Sequence, residues 1–390
     1  MWGVLALSIA MSACSSETQS TGDAADVSEI VGTDEFLELI DHPDDGILEF
    51  VIGPFDMAAD AGHLRLPIQK TEIPFDLYGH GFDWEIRNSA GDRLPDDLLH
   101  HMNVIDIDSR ELFSPVARRI LAAGRETSSI QLPSIAGIPI EGGHRLWIVS
   151  MFGNPTGKDY TDAFLHVNMK YTLPEDGVLP TLEVYTFYLD ATGFVGPKNF
   201  RVPPGRSVKA DTASPGVDGR ILGIGGHMHD YGAELRLEDV TTGELVWTGT
   251  PIVDENGRTT GVSKDLLLAE LGRNIYADHK YRIVVVHENP TDSHAPDGGM
   301  GAIGGIMTVS GDGGWPELDT NDPDYLEDLE NTLLEPERMS AHGHGGQGGR
   351  DMDMGMDMDM GMDMDMHGGS EAGELDEHEH AEGTADDHEH

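Results

Sequence analysis

Short apolar or alternating runs recur between residues 29 and 312, and Gly, Pro and Asp separate them at intervals of about 8–12 residues. Such runs predict β-strands, and the segment Thr241–Glu244 predicts a hairpin turn between two of them. Only Ser114–Ala123 favours a helix. The pattern predicts an all-β chain of two consecutive antiparallel, jelly-roll-like β-sandwiches rather than a parallel α/β fold. The predicted strands are Ile47–Ile52, Phe82–Ile86, Arg145–Met151, Leu165–Tyr171, Leu182–Leu189, Glu234–Val240, Leu245–Gly249, Lys280–Val286 and Ala302–Val309.

The boundary between the two sandwiches is predicted by two prolines and a turn in residues 171–180. This boundary gives a first domain at 29–178 and a second domain at 179–312. The stretch 202–219 is also rich in Pro and Gly and is an alternative boundary.

The N-terminus is typical of a bacterial lipoprotein. Residues 1–14 combine a short apolar run, below the roughly 20 residues that span a bilayer, with small residues that end at Cys14, the one cysteine of the chain. We therefore expect a signal peptide at 1–14, lipidation of Cys14 and a small, polar linker at 15–28. The prediction is an extracytoplasmic protein with a lipid anchor to a membrane, in the periplasm or at the cell surface.

The charge of the chain is strongly acidic, with 71 acidic against 24 basic residues and a net charge of −47. Such a field repels nucleic acid, so no nucleic-acid partner is expected, and it concentrates cations around the protein. Adaptation to salty surroundings is an alternative explanation of the charge. Lipidation of Cys14 would leave His and Met to hold any soft metal.

Two histidine motifs in the body indicate metal binding. His227 and His229 are two residues apart, so in a strand they project from the same face and can share one ion. A hydrogen-bonded structural pair is the alternative. His100 and His101 are adjacent and can share an ion only at a bend, bulge or strand end. Met300 lies among glycines that leave its thioether accessible.

Together these motifs resemble the copper type II, ascorbate-dependent monooxygenases. In that family, two sandwich domains each supply one copper site. The adjacent pair His100-His101 is followed by Met102 and, 65 residues after His101, by His166. The second pair is followed by Met300, 71 residues after His229.

The resemblance implies a fold, a ligand set and an activity. The first copper would bind His100, His101 and His166, with His144 as the alternative third ligand. The second and catalytic copper would bind His227, His229 and Met300, with His287 or His294 as alternatives. The first ion would store an electron from a one-electron, ascorbate-type reductant. The second would use O2 to hydroxylate a C–H bond of a small-molecule substrate.

Two departures from the family narrow the substrate. The residues that bind a peptide carboxylate in the family's peptide hydroxylases correspond to Gly225 and Gly304, and the body has no disulfide. Hydroxylation of peptides is therefore not expected. The alternatives are a non-catalytic copper-storage lipoprotein and a structural surface sandwich that binds metal incidentally.

The tail, residues 313–390, is acidic and predicted to be disordered, with a weak helix over Pro323–Leu334. Its end, from 339, contains seven His, and eight Met alternate with Asp and Gly at even positions from 352 to 366. Thioethers select Cu(I) and imidazoles take Cu(II), so additional copper on the tail is expected. A solubility tail is the alternative.

Overall fold

The structure is a computed structural model that describes residues 28–59, 62–124, 131–176, 181–267, 272–311 and 313–343, with side chains up to Leu333. The predicted signal peptide, Cys14 and the Met-rich repeats lie outside the described residues. The fold is all-β, as predicted, and its sheets form sandwiches. No helix in the described part of the chain has the length and apolar character needed to cross a membrane.

The first sandwich packs two sheets over a core that includes Phe50, Ile86 and Val167. One sheet has the order β1-β2-β3-β11-β6-β9-β12, and the other is built on β4-β10-β7-β8 with β5 beside β10. The strands are β1 Glu29–Asp34, β2 Leu37–His42, β3 Ile47–Met57, β4 Leu64–Arg65, β5 Gln69–Glu72, β6 Leu77–Asn88, β7 Leu99–Arg110, β8 Ala117–Gly124, β9 Ala136–Ile140, β10 Arg145–Phe152, β11 Tyr160–Thr172 and β12 Leu182–Glu183. The 3-10 turn Asp96–Leu98 precedes β7.

The second sandwich has its own core around Ile221, Leu237 and Val285. One sheet has the order β13-β23-β15-β20 with β21 beside β15, and the other β14-β22-β16-β17. The strands are β13 Tyr185–Asp190, β14 Gly205–Ala213, β15 Gly219–Met228, β16 Gly232–Asp239, β17 Glu244–Gly249, β18 Pro251–Val253, β19 Thr259–Val262, β20 Asp265–Leu266, β21 Arg273–Ile275, β22 Tyr281–Asn289 and β23 Gly301–Val309. The chain therefore passes from one sandwich to the other between β12 and β13.

The predicted turn at Thr241–Glu244 joins β16 to β17, whose register places Asp239 opposite Glu244. Gly243 there adopts a φ of 78°, a left-handed conformation that favours glycine. The helix predicted over Ser114–Ala123 is wrong, because this segment supplies β8, which pairs with β7. Its Ala, Leu and Arg residues favour helix locally, but pairing and burial in the sheet override that preference.

The two sandwiches are joined by residues that follow β7. Leu112 and Phe113 leave the first sandwich and pack into the core of the second. Glu111 is fully buried, and its carboxylate accepts hydrogen bonds from the backbone N–H of Arg119 in β8 at 2.8 Å and of Tyr188 in β13 at 3.2 Å. Burial raises the pKa of Glu111 to about 7, although the backbone N–H donors and nearby guanidinium groups oppose the shift.

The weak helix predicted over Pro323–Leu334 is confirmed, and it packs on the body that was expected to end at residue 312. The segment after β23 continues into the helix α1, Pro323–Gly343, which packs on the first sandwich. Tyr325 is buried and donates a hydrogen bond to the Ile107 carbonyl at 2.8 Å. Asp328 accepts two hydrogen bonds from the Arg119 guanidinium at 2.9 and 2.6 Å. A buried bidentate ion pair holds a charged helix on the body in spite of its acidic composition.

Candidate metal centre

The pair His100-His101 lies at the start of β7, where the register with β10 is irregular. Met151 pairs with His101 and Phe152 pairs with Leu99, so His100 is the extra residue of a β-bulge. The bulge brings the two rings together, and their Nδ1 atoms are 2.7 Å apart. Adjacent histidines can share an ion at a bulge, and the pair His100-His101 lies at one.

His63 joins this pair from the segment before β4. Its ring meets the ring of His100 edge to face, with the centroids 4.6 Å apart. No motif or spacing in the sequence pointed to His63, because it stands alone between Gly62 and Leu64. Only the pairing of β4 with the end of β10 brings it to this position.

The pair His227 and His229 lies at the end of β15, and its ring centroids are 5.3 Å apart. His229 Nδ1 lies 3.2 Å from the Asp297 carbonyl oxygen. Because a carbonyl only accepts, this nitrogen must be the donor, and the lone pair of a neutral His229 is then on Nε2. A backbone bond of this kind is the usual way in which a metal-binding histidine is oriented.

Met300 directly precedes β23, three residues after Asp297. In the ladder of β15 and β23, His227 pairs with Ala302 and Met228 with Gly301. The residues that flank this last pair are His229, which follows Met228, and Met300, which precedes Gly301. The backbone therefore brings Met300 and His229 to the same end of the ladder.

The two histidine pairs, one from each sandwich, meet. The rings of His100 and His229 are 6.2 Å apart between centroids, in an edge-to-face arrangement. Burial holds the pKa of His101 well below its usual value, and positive charge on His100, His227, Arg65 and His229 lowers it further. These rings therefore surround one space at the junction of the sandwiches.

His287, in β22, lies near His229 of this cluster. It is 1% exposed, and its Nε2 has no hydrogen-bond partner among the described residues. Burial lowers the pKa of His287 to about 4, and His229 contributes to the shift. A buried imidazole nitrogen without a partner is costly in an apolar core, and a bound metal ion would remove that cost.

The placement predicted for His166 beside His101 is wrong. In β11, Leu165 and Val167 point into the core of the first sandwich, so His166 projects from the outer face of that sheet. Its Nδ1 lies 2.7 Å from the carboxylate of Glu49, which also contacts His42 at 2.8 Å. His101 is on the opposite sheet and faces away from the same core, so both sheets separate it from His166.

Of the three alternative ligands, His287 belongs to the cluster, and His144 lies apart from it. His144 Nδ1 is 3.0 Å from the carboxylate of Asp106, a residue of β7 five positions after His101. At about 3.3 Å per residue, Asp106 and His101 are roughly 16 Å apart along the strand. His294 is exposed in the loop before Met300.

Among the described residues, no three His, Cys, Asp or Glu side chains are arranged as a ready metal-binding group. His100 and His101 hydrogen-bond each other through their Nδ1 atoms, so an ion held by both of these atoms would require the rings to turn. The types of donor nevertheless fit copper, because imidazole nitrogens and a thioether sulfur are copper ligands. The residues of the cluster are His63, His100, His101, His227, His229, His287 and Met300.

Beside His227, the sheet has a strip without side chains. Gly225 and Gly304, which replace the family's carboxylate-binding residues, are directly paired across β15 and β23. They lie on the same face as His227, because each position is two residues from the next pair, His227 and Ala302. A Cβ on Gly225 would lie 3.1 Å from Cγ of Lys264, so the aliphatic stem of this exposed lysine lies over the strip at Gly225.

An apolar cavity lies at the other end of the interface, lined by Ile120, Leu121, Met169, Thr186 and Ile306 among others. Thr186 donates a hydrogen bond to the Arg119 carbonyl there. None of the histidines of the cluster lines this cavity. It is therefore not the space that the cluster surrounds.

Comparison with known proteins identifies no family. No family model and no curated protein matches the chain. A solved structure described as the STIV MCP is 10% identical with a TM-score of 0.33, and covers 68% of this chain and 97% of its own. One described as N-glycanase F (PNGase F) is 8% identical with a TM-score of 0.31 and the same coverage. At these TM-scores the likeness supports no inference about function.

Proposed function

We propose that this protein is a copper-dependent monooxygenase-like enzyme that hydroxylates a C–H bond of a small substrate. One oxygen atom of O2 enters the substrate and the other leaves as water, so each turnover takes two electrons from a one-electron reductant and two protons. The proposal is carried by one observation: the rings of His100, from the first histidine pair, and His229, from the second, are 6.2 Å apart between centroids. Copper, when bound, supplies one-electron redox chemistry and the activation of O2.

The residues of the chain divide the remaining work. His227, His229 and Met300 would hold the ion that reacts with O2, because a thioether favours the reduced ion. His100 and His101 would hold the second ion. The Asp297 carbonyl keeps Nε2 of His229 ready for coordination. A Cβ on Gly304 would meet no atom closer than 3.8 Å, so a substrate could lie against the backbone there, on the face that carries His227.

Copper-loaded protein should consume O2 when ascorbate is added, and His227→Ala should lower that rate at least tenfold, because the catalytic ion loses a ligand. The measurement is an oxygen-electrode assay on chains ending at Gly343, which avoids copper on the tail. His42→Ala is the matched control, since it removes an imidazole from the remote outer face. Equal rates for His227→Ala and His42→Ala would contradict the proposal.

The alternative function is copper storage without catalysis, and the tail favours it. Its eight Met and its His residues match the ligands of Cu(I) and Cu(II). Removing residues 344–390 should reduce the copper bound per chain while about two ions stay on the body. The measurement is copper per chain by atomic emission after dialysis. Unchanged stoichiometry would show that the tail binds no copper.

A further inference from the structure

We propose that His63, His100, His101, His227 and His229 form one two-ion copper centre shared by both sandwiches, rather than two separate copper sites. This inference rests on the proposed function for the identity of the metal. It differs from the expectation of one independent ion in each domain, and it assigns a role to His63.

The first step is the central place of His100. Its ring contacts three others, at 4.6 Å to His63, 4.8 Å to His101 and 6.2 Å to His229. The first two come from the first sandwich, and His229 comes from the second. His100 therefore links the ligand pairs that the sequence had assigned to different ions.

The second step concerns the space between the rings. Between ring centroids, His229 lies 6.2 Å from His100 and 5.3 Å from His227, so the rings of the two sandwiches face a common space. Imidazole–metal bonds are about 2 Å long, so ions bound by these rings lie within or at the edge of the space that the rings enclose. Two ions in that space are neighbours rather than independent centres.

The third step is the number of ligands. His166 is on the far side of the first sandwich, so the pair His100-His101 needs another donor to complete an all-imidazole site. His63 is in ring contact with His100 and is exposed. A Cβ on Gly153 would lie 3.7 Å from its ring, so the loop after β10 also leaves space for this ring. His63 therefore takes the position that His166 was expected to fill, on the side open to solvent.

The test is an electron paramagnetic resonance titration with Cu(II) of the chain ending at Gly343, the last residue of the compact unit. Between one and two equivalents, we expect a half-field transition or a loss of integrated signal, both of which report interacting Cu(II) ions. Two signals that simply add would overturn the shared centre and leave the proposed function intact. Absence of copper binding would overturn both.

Matched variants locate the ligands. His63→Ala should weaken copper binding by 10–100-fold and abolish the interaction signal, because one ligand is lost. His166→Ala removes an imidazole from the same sandwich and should leave the spectrum unchanged. The opposite result, a spectrum lost in His166→Ala and kept in His63→Ala, would overturn the assignment of His63. Circular dichroism of both variants checks that the fold is retained.

Discussion

Asp328→Ala is expected to lower the free energy of unfolding by about 3–5 kcal/mol, because it breaks a buried ion pair and leaves one charge without its partner. Asp328 is 4% exposed, and its carboxylate accepts hydrogen bonds from both terminal nitrogens of the Arg119 guanidinium. After the substitution, the acceptor that the described residues still offer to the guanidinium is the Ala117 carbonyl at 2.6 Å. The measurement is denaturant unfolding with linear extrapolation.

Two variants control this prediction. Glu327→Ala removes an exposed carboxylate from the same helix and should change stability by less than about 0.5 kcal/mol. The double variant Arg119→Met/Asp328→Leu should recover much of the loss, since apolar side chains replace both charges. Equal stability of Asp328→Ala and Glu327→Ala would mean that α1 does not pack on the body.

Glu111→Ala is expected to cost at least about 3 kcal/mol, because it leaves buried N–H groups without an acceptor. Besides the N–H groups of Arg119 and Tyr188, the carboxylate accepts that of Leu112 at 3.3 Å. The bond to Tyr188 joins the two sandwiches. The substitution should therefore also weaken the interaction between the two coppers, which depends on the same interface. Denaturant unfolding and the copper titration measure the two effects.

The contribution of Glu111 to the free energy of unfolding decreases as the pH rises. The folded pKa of Glu111, about 7, is above the ordinary value of 4.5, so between these values the folded state holds a proton that the unfolded state releases. This contribution is complete below about pH 4.5 and is lost as the pH rises through about 7. Glu111→Gln does not titrate, so wild type should exceed it in stability by more at pH 5 than at pH 8, by up to about 3 kcal/mol. An equal difference at both pH values would contradict the raised pKa.

The same interface connects stability with the candidate site. In β8, Arg119 lies near the start of the strand, and Gly124, at its end, pairs with His101. On the second sandwich, β13 runs from Thr186, bonded to Arg119, to Asp190, which pairs with Ala302 beside His227. The buried groups around Glu111 and Arg119 therefore hold one end of the junction, and the histidine cluster lies about 17 Å further along the strands. Loosening the first end should change the distance between the histidine pairs at the second.

Much of the fold could be predicted from local pattern. Short apolar or alternating runs predicted strands such as β3, β10 and β22, and the segment with Gly243 predicted the turn between β16 and β17. The helix predicted over Pro323–Leu334 is present as the first part of α1. Local pattern failed for β8, whose composition favours a helix, and for the packing of α1, which is as acidic as a disordered tail. Each was decided by a distant partner, β7 for the first and Arg119 for the second, which local pattern does not reveal.

The amino-acid sequence by itself determined the chemistry that is available here: imidazole and thioether donors, no cysteine in the body, and a pair at His227 and His229 that shares one face because strand geometry alternates. Tertiary structure decided which donors meet. His166 follows His101 by 65 residues, the spacing on which its assignment as a ligand rested. A spacing along the chain does not show which face of which sheet lies against the second sandwich. The packing of the two sandwiches turns His166 outward and brings His63, His100 and His229 together. Contact between distant strands depends on how whole sheets pack, and that is a property of the complete fold.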